Sequence, residues 1–522
     1  MGRFSQGRPA AIIVVLLLII VVALGCGGKL ASSRTAVTQP ATSESSSATQ
    51  PSTTQPPSTG TSTTAAAVTG SPGAGDPFFP SAGNGGYDVQ SYEISLHIDP
   101  VSGRIAGTGV VTATALQDLA GFYLDLLGLD VSGVQVDGKT APWDRSGQEL
   151  KITCPATLEK GDTFKATISY SGVPAALSSK LFSLGWQKVD DTIFTLDEPQ
   201  GAATWFPVND TPADKATYTF HLTVPEAYTA AANGVLVDTT VEGTDRTFTW
   251  QMDKPMASYL AAVDVGRFAT ETSASGGGVT IRNYFATDLA TAGRDAFART
   301  GEVIDYFAGI FGPYPFAAYG VVVPDADTGG AAMENQTLSL FGRDVVTKRM
   351  TDPIAGPIFL SHELAHQWFG DSVTIEQWDD IWLNEGFATY ASWLWLEHDQ
   401  GPQALQAQVK QSREKLSKSA EPPPGRPGQA DMFGASVYRR GALTLHALRL
   451  TVGDDSFFRT LRTWTERYKY CNADTADFIA LAKEEAPQVP PAEIDALFDA
   501  WLYQPELPTL PDPAAIGAGT GQ

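Results

Sequence analysis

The stretch Ser361-His362-Glu363-Leu364-Ala365-His366-Gln367-Trp368-Phe369-Gly370 holds two histidines four apart, with a glutamate directly after the first. On an α-helix, residues i and i+4 lie one above the other on the same face. His362 and His366 are therefore expected to hold one metal ion between them. Glu363 is turned away from that face, close enough to act on a water at the metal without ligating it. With 6 His in 522 residues, this pattern is expected by chance in well under about one per cent of such chains. A catalytic zinc site takes three protein ligands and keeps a fourth position open, so a third ligand is expected downstream.

Trp382-Leu383-Asn384-Glu385-Gly386-Phe387-Ala388 supplies it. Glu385 follows His366 after 18 intervening residues and opens what reads as a second helix, Phe387 to Glu397. A carboxylate there completes a His362/His366/Glu385 site for one Zn2+. Zinc in such a site lowers the pKa of its water towards about 7. Glu363 is expected to take the water's proton as general base. The developing oxyanion needs a donor besides the metal.

The flanking sequence gives the frame. Alternation is clean in Tyr92-Ile94-Leu96-Ile98, in Phe164-Ala166-Ile168-Tyr170 and in Tyr218-Phe220-Leu222-Val224. Short spacing between such runs predicts an antiparallel β domain, residues 84–270. Phe297, Ile304, Phe307 and Phe311 then fall at helical spacing, stopped by Gly312, and a strand follows at Gly320–Val323. Pro357 suits the first turn of the metal helix and Gly370 its end. The mostly helical part runs to Leu507, giving a catalytic domain at 271–508. The fold class expected is multidomain α+β. His97, His221, His398 and His446 read as surface or packing histidines, and Trp378, Trp382, Trp393 and Trp395 as core.

The N-terminus bears on location. Arg3 and Arg8 precede an apolar run from Ala10 to Leu24, of signal-peptide rather than spanning length. Ala23-Leu24-Gly25-Cys26 then resembles a bacterial lipoprotein cleavage site with Cys26 as the lipidated residue. An uncleaved anchor or an ordinary secretion signal are the other readings; each puts the body outside the cytoplasm, attached to the membrane in two of the three. Residues 1–26 are thus expected as signal segment, 27–83 as a disordered Ser/Thr/Pro-rich tether and 509–522 as a disordered tail. Three cysteines do not make a disulfide framework. A net charge of −23 argues against nucleic acid, whose phosphates select clustered Lys and Arg. Oligomeric state leaves no mark on the sequence.

With the metal motif and the later glutamate in place, the chain resembles the M1 family of zinc aminopeptidases, the aminopeptidase N-like gluzincins. That family carries an upstream Gly-x-Met-Glu-Asn motif, here Ala331-Ala332-Met333-Glu334-Asn335 with Ala in the first position. The resemblance implies that Glu334 binds the substrate's free α-amino group. It assigns a second share of that task to Glu198 in Thr195-Leu196-Asp197-Glu198-Pro199, eight residues before Phe206-Pro207, where Leu196 replaces a frequent Gln. It makes Tyr438, in Val437-Tyr438-Arg439-Arg440-Gly441, the oxyanion donor. It also implies a saddle-like β domain, a thermolysin-like catalytic domain and the short form that lacks a large C-terminal helical domain. Two carboxylates beside a hydrolytic centre, neither of them on the metal, select a cationic amine by charge pairing. Peptides with a free N-terminus are then the expected substrates. An endopeptidase or an epoxide-opening hydrolase is the alternative within enzymes, and an inactive lipid-anchored binding protein the alternative outside them. Taken alone, Glu334 would read as a loop acid and Tyr438 as a core tyrosine.

Overall fold

In the computed structural model of the chain, the described residues are 67–178 and 183–512. The expected signal segment with Cys26, residues 27–66 of the expected tether and 513–522 of the tail lie outside them.

The packed body begins ahead of the expected boundary at 84. Val68–Thr69 forms a short strand parallel to Leu119–Asp125. Phe79 and Ala82 are buried. One oxygen of Asp76 accepts the N–H groups of Phe78 and Phe79, and the other accepts the N–H of Trp378, 2.8 Å away. A short strand, the Phe79 ring and the Asp76 carboxylate help anchor a segment whose Gly- and Pro-rich composition reads as tether.

The β half is built on an eight-stranded sheet. Its order is Val235–Glu242, Asp245–Met256, Ala216–Pro225, Tyr87–Asp99, Arg104–Ala115, Thr163–Gly172, Asp130–Val136 and Lys139–Thr140. The alternating runs bury one face as their period requires: Ile94, Leu96 and Ile98, Ala166 and Ile168, and Phe220 and Leu222 are all closed to solvent. One join departs from the antiparallel pattern. Ala216–Pro225 runs parallel to Tyr87–Asp99 with Tyr218 beside Tyr92, and these two rings stack at 4.9 Å. The strands are over a hundred residues apart in sequence, so burial of matching aromatic rows, not turn geometry, sets their direction.

The chain passes into the second half between Gly266 and Phe268. Phe268–Ala274 already belongs to a five-stranded sheet with Thr280–Ala286, Ala318–Val323, Ser339–Phe341 and, at the edge, Ala332–Met333. The expected boundary at 270 thus falls inside a strand. Helix Thr300–Phe311 ends at Gly312. Helices Ala355–Ala365, Trp382–Gln400 and Gly441–Val452 pack together beyond the sheet, and Pro491–Leu502 closes the far side. Trp378, Trp382, Trp393 and Trp395 are all buried. Leu510 still packs against the core, so the tail starts later than residue 509. Among the described residues, no helix is long and apolar enough to cross a membrane.

Polar contacts tie the halves together near the metal motif. The Lys215 ammonium donates to the carbonyls of Asp371 and Ser372 at 2.8 and 3.0 Å. Asn472 donates to the carbonyl of Pro212, and Asn233 to that of Gln336.

Candidate active site

Helix Ala355–Ala365 carries His362 and Glu363, but it ends sooner than Gly370. His366 stands at its C-cap. The chain then tightens: Asp371 N–H bonds the carbonyl of His366, and Ser372 N–H that of Gln367. Gly370 closes the turn at a φ of 131°, where a Cβ would lie 3.3 Å from His366 Nδ1. A side chain there would press on a metal-binding imidazole, which accounts for glycine at that place.

Glu385 lies in the first turn of helix Trp382–Gln400, not ahead of it. That helix begins five residues before the expected Phe387. Gly386 does not break it. A Cβ on Gly386 would lie 2.9 Å from the Cα of Gly441, so the glycine allows two helices to touch backbone to backbone. This contact sets the turn Ser436–Arg440, a single π-helical turn that runs straight into Gly441–Val452. Such turns are frequent at functional sites. It carries Tyr438. Arg440, from the same turn, donates to the carbonyls of Ala500, Trp501, Gln504, Pro505 and Glu506. Its charge therefore serves the end of the last helix and not the substrate.

The three expected ligands converge. His362 Nε2 is 3.1 Å from Glu385 Oε2 and 3.3 Å from His366 Nε2. His366 Nε2 is 3.6 Å from Glu385 Oε2. Tetrahedral zinc with bonds of about 2.0–2.1 Å needs ligand atoms roughly 3.3 Å apart, so this set fits the ion. His366 Nδ1 donates to the carbonyl of Phe369 at 3.0 Å. That bond leaves Nε2 with its lone pair free for the metal. Burial pushes the Glu385 carboxyl up, but His366 and His362 outweigh it and hold the pKa down at about 2.

Three more carboxylates surround this set. Oxygens of Glu198, Glu334 and Glu385 lie within 4.8 Å of one another, as do ligand atoms of Glu334, Glu363 and His366. Glu198 reaches the site from the loop after strand Thr192–Leu196, and Glu334 from the residue after edge strand Ala332–Met333. Each has one buried oxygen without a hydrogen-bond partner. Burial raises Glu198 well above the ordinary carboxyl range, and Glu334 and Glu385 add to the rise. Burial also raises Glu363 well above that range. Four acids crowd two imidazoles here, so burial and mutual repulsion disfavour ionising all of them unless cations stand beside them. Tyr438 stacks on His362. Its phenol is kept protonated by burial and by Glu385, Glu198 and Glu334, so it is a donor at neutral pH.

Of the rest of the upstream motif, Met333 and Asn335 are buried and Ala331 and Ala332 half-buried. Both polar atoms of the Asn335 side chain lack partners. Residues without an expected role also stand close. Asn384 donates to the hydroxyl of Tyr259. Asp371, wholly buried, lies within electrostatic reach of Glu334 and His366. Gln367 touches the main chain of Glu334. Gln367 stands inside the stretch Ser361–Gly370, but its partners, like those of Lys215, lie far off in sequence and no spacing rule points to them. His446, His97 and His221 stand away from this set, paired with Tyr390, Asp245 and Glu93.

Residues 296–501 match the Peptidase family M1 domain and residues 89–260 the Peptidase M1 N-terminal domain. Among solved structures, an M1 zinc metallopeptidase from Deinococcus radiodurans is 32% identical, with a TM-score of 0.77; the match covers 84% of this chain and 100% of that one. A mutant of an M1 zinc metallopeptidase from the same organism, with Tyr-Ser-Ala substrate bound, matches with the same TM-score at 33% identity. Aminopeptidase M1 of Arabidopsis thaliana is 30% identical over 333 residues, 60% of this chain and 37% of that protein. Glutamyl aminopeptidase of Homo sapiens is 30% identical over 348 residues, 62% of this chain and 35% of that protein. The chain thus spans little more than a third of the length of these curated relatives.

Proposed function

The chain belongs to peptidase family M1, and from that membership we propose that it is a zinc aminopeptidase that hydrolyses the first peptide bond of peptides with a free N-terminus. One observation carries the reading. Glu198 and Glu334 are buried beside the His362/His366/Glu385 set, each with an oxygen that has no partner. An α-ammonium group satisfies both oxygens and supplies the missing positive charge.

Zinc bound by His362, His366 and Glu385, one ion per chain, supplies Lewis acidity towards a water and a carbonyl. Glu363 takes a proton from the attacking water and returns it to the departing amine. The Tyr438 hydroxyl donates to the oxygen that gains charge. Glu198 and Glu334 hold the ammonium, so only the bond one residue away reaches the centre. Met333 and the half-buried Ala331 and Ala332 form the stretch beside that ammonium, and Asn335 follows it.

An endopeptidase or an epoxide-opening hydrolase would leave both free carboxylate oxygens without a cation. A dead binding protein would have no call on Glu363 and Tyr438 together. The test is hydrolysis of amino-acid anilides beside their N-acetylated forms, with chelator removal and zinc restoration. Equal rates on blocked and free substrates would refute amine reading, and no turnover by zinc-loaded protein would refute the enzyme.

We further propose that the body sits outside the cytoplasm, held to the membrane through Cys26. Support comes from the charged, then apolar, then Gly25-Cys26 order of the first residues.

A further inference from the structure

One oxygen of Glu334 has no hydrogen-bond partner, the nearest cationic group being His366 Nδ1 at 3.8 Å. Its main chain is what is held. Gln367 Nε2 donates to the Glu334 carbonyl at 3.1 Å. Gln367 Oε1 accepts from Thr337 N–H at 2.9 Å and from the Tyr314 hydroxyl at 3.1 Å. Only one orientation of the amide satisfies all three bonds. Gln367 is fully buried and directly follows the zinc-set residue His366.

The β half grips the same four residues from the other side. Asn233 Nδ2 donates to the carbonyls of Gln336 and Leu260, both at 2.8 Å, and Asn233 Oδ1 accepts from Ala262 N–H. Gly234 N–H donates to Thr337 Oγ1 at 2.7 Å. Thr337 itself has a φ of 70°, rare for a β-branched residue. A conformation of that kind persists only where the surroundings impose it.

We propose that Gln367 is a positioning residue for amine recognition. It reaches from the turn that carries His366 to the main chain of Glu334, and so sets the distance between the metal site and the carboxylate that holds the α-ammonium. Thr337, gripped by Gly234, is the second fixed point of that segment. The inference rests on the reading of Glu334 as amine ligand.

The test uses two inhibitors with the same zinc-chelating head, L-leucine hydroxamate and its desamino analogue 4-methylpentanohydroxamate. The ratio of their inhibition constants measures what the amine contributes. In Gln367→Met that ratio should fall about tenfold, as for loss of one charge-assisted contact, while the desamino constant and zinc content stay at wild-type values. Thr337→Ala should lower the ratio in the same direction, and Thr337→Ser, which keeps the hydroxyl, should restore it. These two variants decide the matter should Gln367→Met not fold. An unchanged ratio in both Gln367→Met and Thr337→Ala overturns the proposal. So does equal weakening of both inhibitors, which would mark a purely structural role. Glu334→Ala is the control. If it too leaves the ratio unchanged, the amine reading itself fails and the proposal falls with it.

Discussion

The ring of Tyr438 lies against the imidazole of His362, centroids 5.9 Å apart and planes 20° from parallel. A residue from the π-helical turn before Gly441 thereby borders the metal set. The stacking holds the ring, and the hydroxyl lies within hydrogen-bonding reach of the Glu385 carboxylate.

Tyr438→Phe keeps that stacking and removes only the donor. The kcat on an amino-acid anilide should drop about 10²–10³-fold, the usual cost of one oxyanion donor. Thermal midpoint and zinc content should not change. Wild-type turnover would remove Tyr438 from the reaction.

Glu363→Gln removes the base without touching the three ligands. Its kcat should fall on the order of 10²–10⁴-fold, with zinc content by metal analysis equal to wild type. If zinc leaves with the carboxylate, Glu363 is a ligand and its role here is wrong.

Gly441→Val places a Cβ branch where only 2.9 Å separates an added carbon from Gly386 Cα. Backbone faces backbone, so no rotamer relieves the clash. Stability should fall by about 1–3 kcal/mol in denaturant unfolding. Because the turn with Tyr438 precedes this contact, kcat should fall as well. A variant as stable and active as wild type would show that the helices can separate freely.

His446 accepts from Tyr390 within the helical packing. Burial, with Arg449 adding to it, holds its pKa down at about 4. The unfolded chain protonates at about 6.5. The fold favours the neutral ring, so this part of the stability is present above pH 6.5 and is lost as pH falls towards 4. In His446→Gln, the loss of unfolding free energy between pH 7 and pH 4.5 should be smaller by about 2 kcal/mol. An identical slope would show that His446 does not titrate in the fold.

Cys26→Ser should abolish incorporation of a labelled fatty acid and release active enzyme from the membrane fraction. Retention on membranes without label would point instead to an uncleaved apolar anchor.

What lay open in the sequence was what depends on short range. The i, i+4 spacing of His362 and His366 is a property of one helical turn, and the alternation in Tyr92 to Ile98 is a property of one strand. Both predict which side chains share a face before any partner is known. Element ends were less legible. Gly386 falls before the expected helix start at Phe387, yet it stands inside the helix, where the close approach of Gly441 leaves no room for a Cβ. The helix before His366 stops at Ala365 because the following N–H groups claim its last carbonyls. Residues 67–83 look like tether because what fastens them is a two-residue strand, backbone hydrogen bonds and a few side chains such as Phe79 and Asp76, none of which shows as periodicity.

The metal chemistry of Ser361 to Gly370 was therefore determined by the sequence itself, through local geometry that any helix imposes. The tertiary structure decided what surrounds it. Glu198 meets Glu334 and Glu385, Lys215 meets the carbonyls after Gly370, and Gln367 meets Glu334 only because sheets and helices far apart in the chain bury their apolar faces together. Such contacts follow from packing, not from periodicity, and burial is also what makes these acids costly to ionise unless a cation stands beside them.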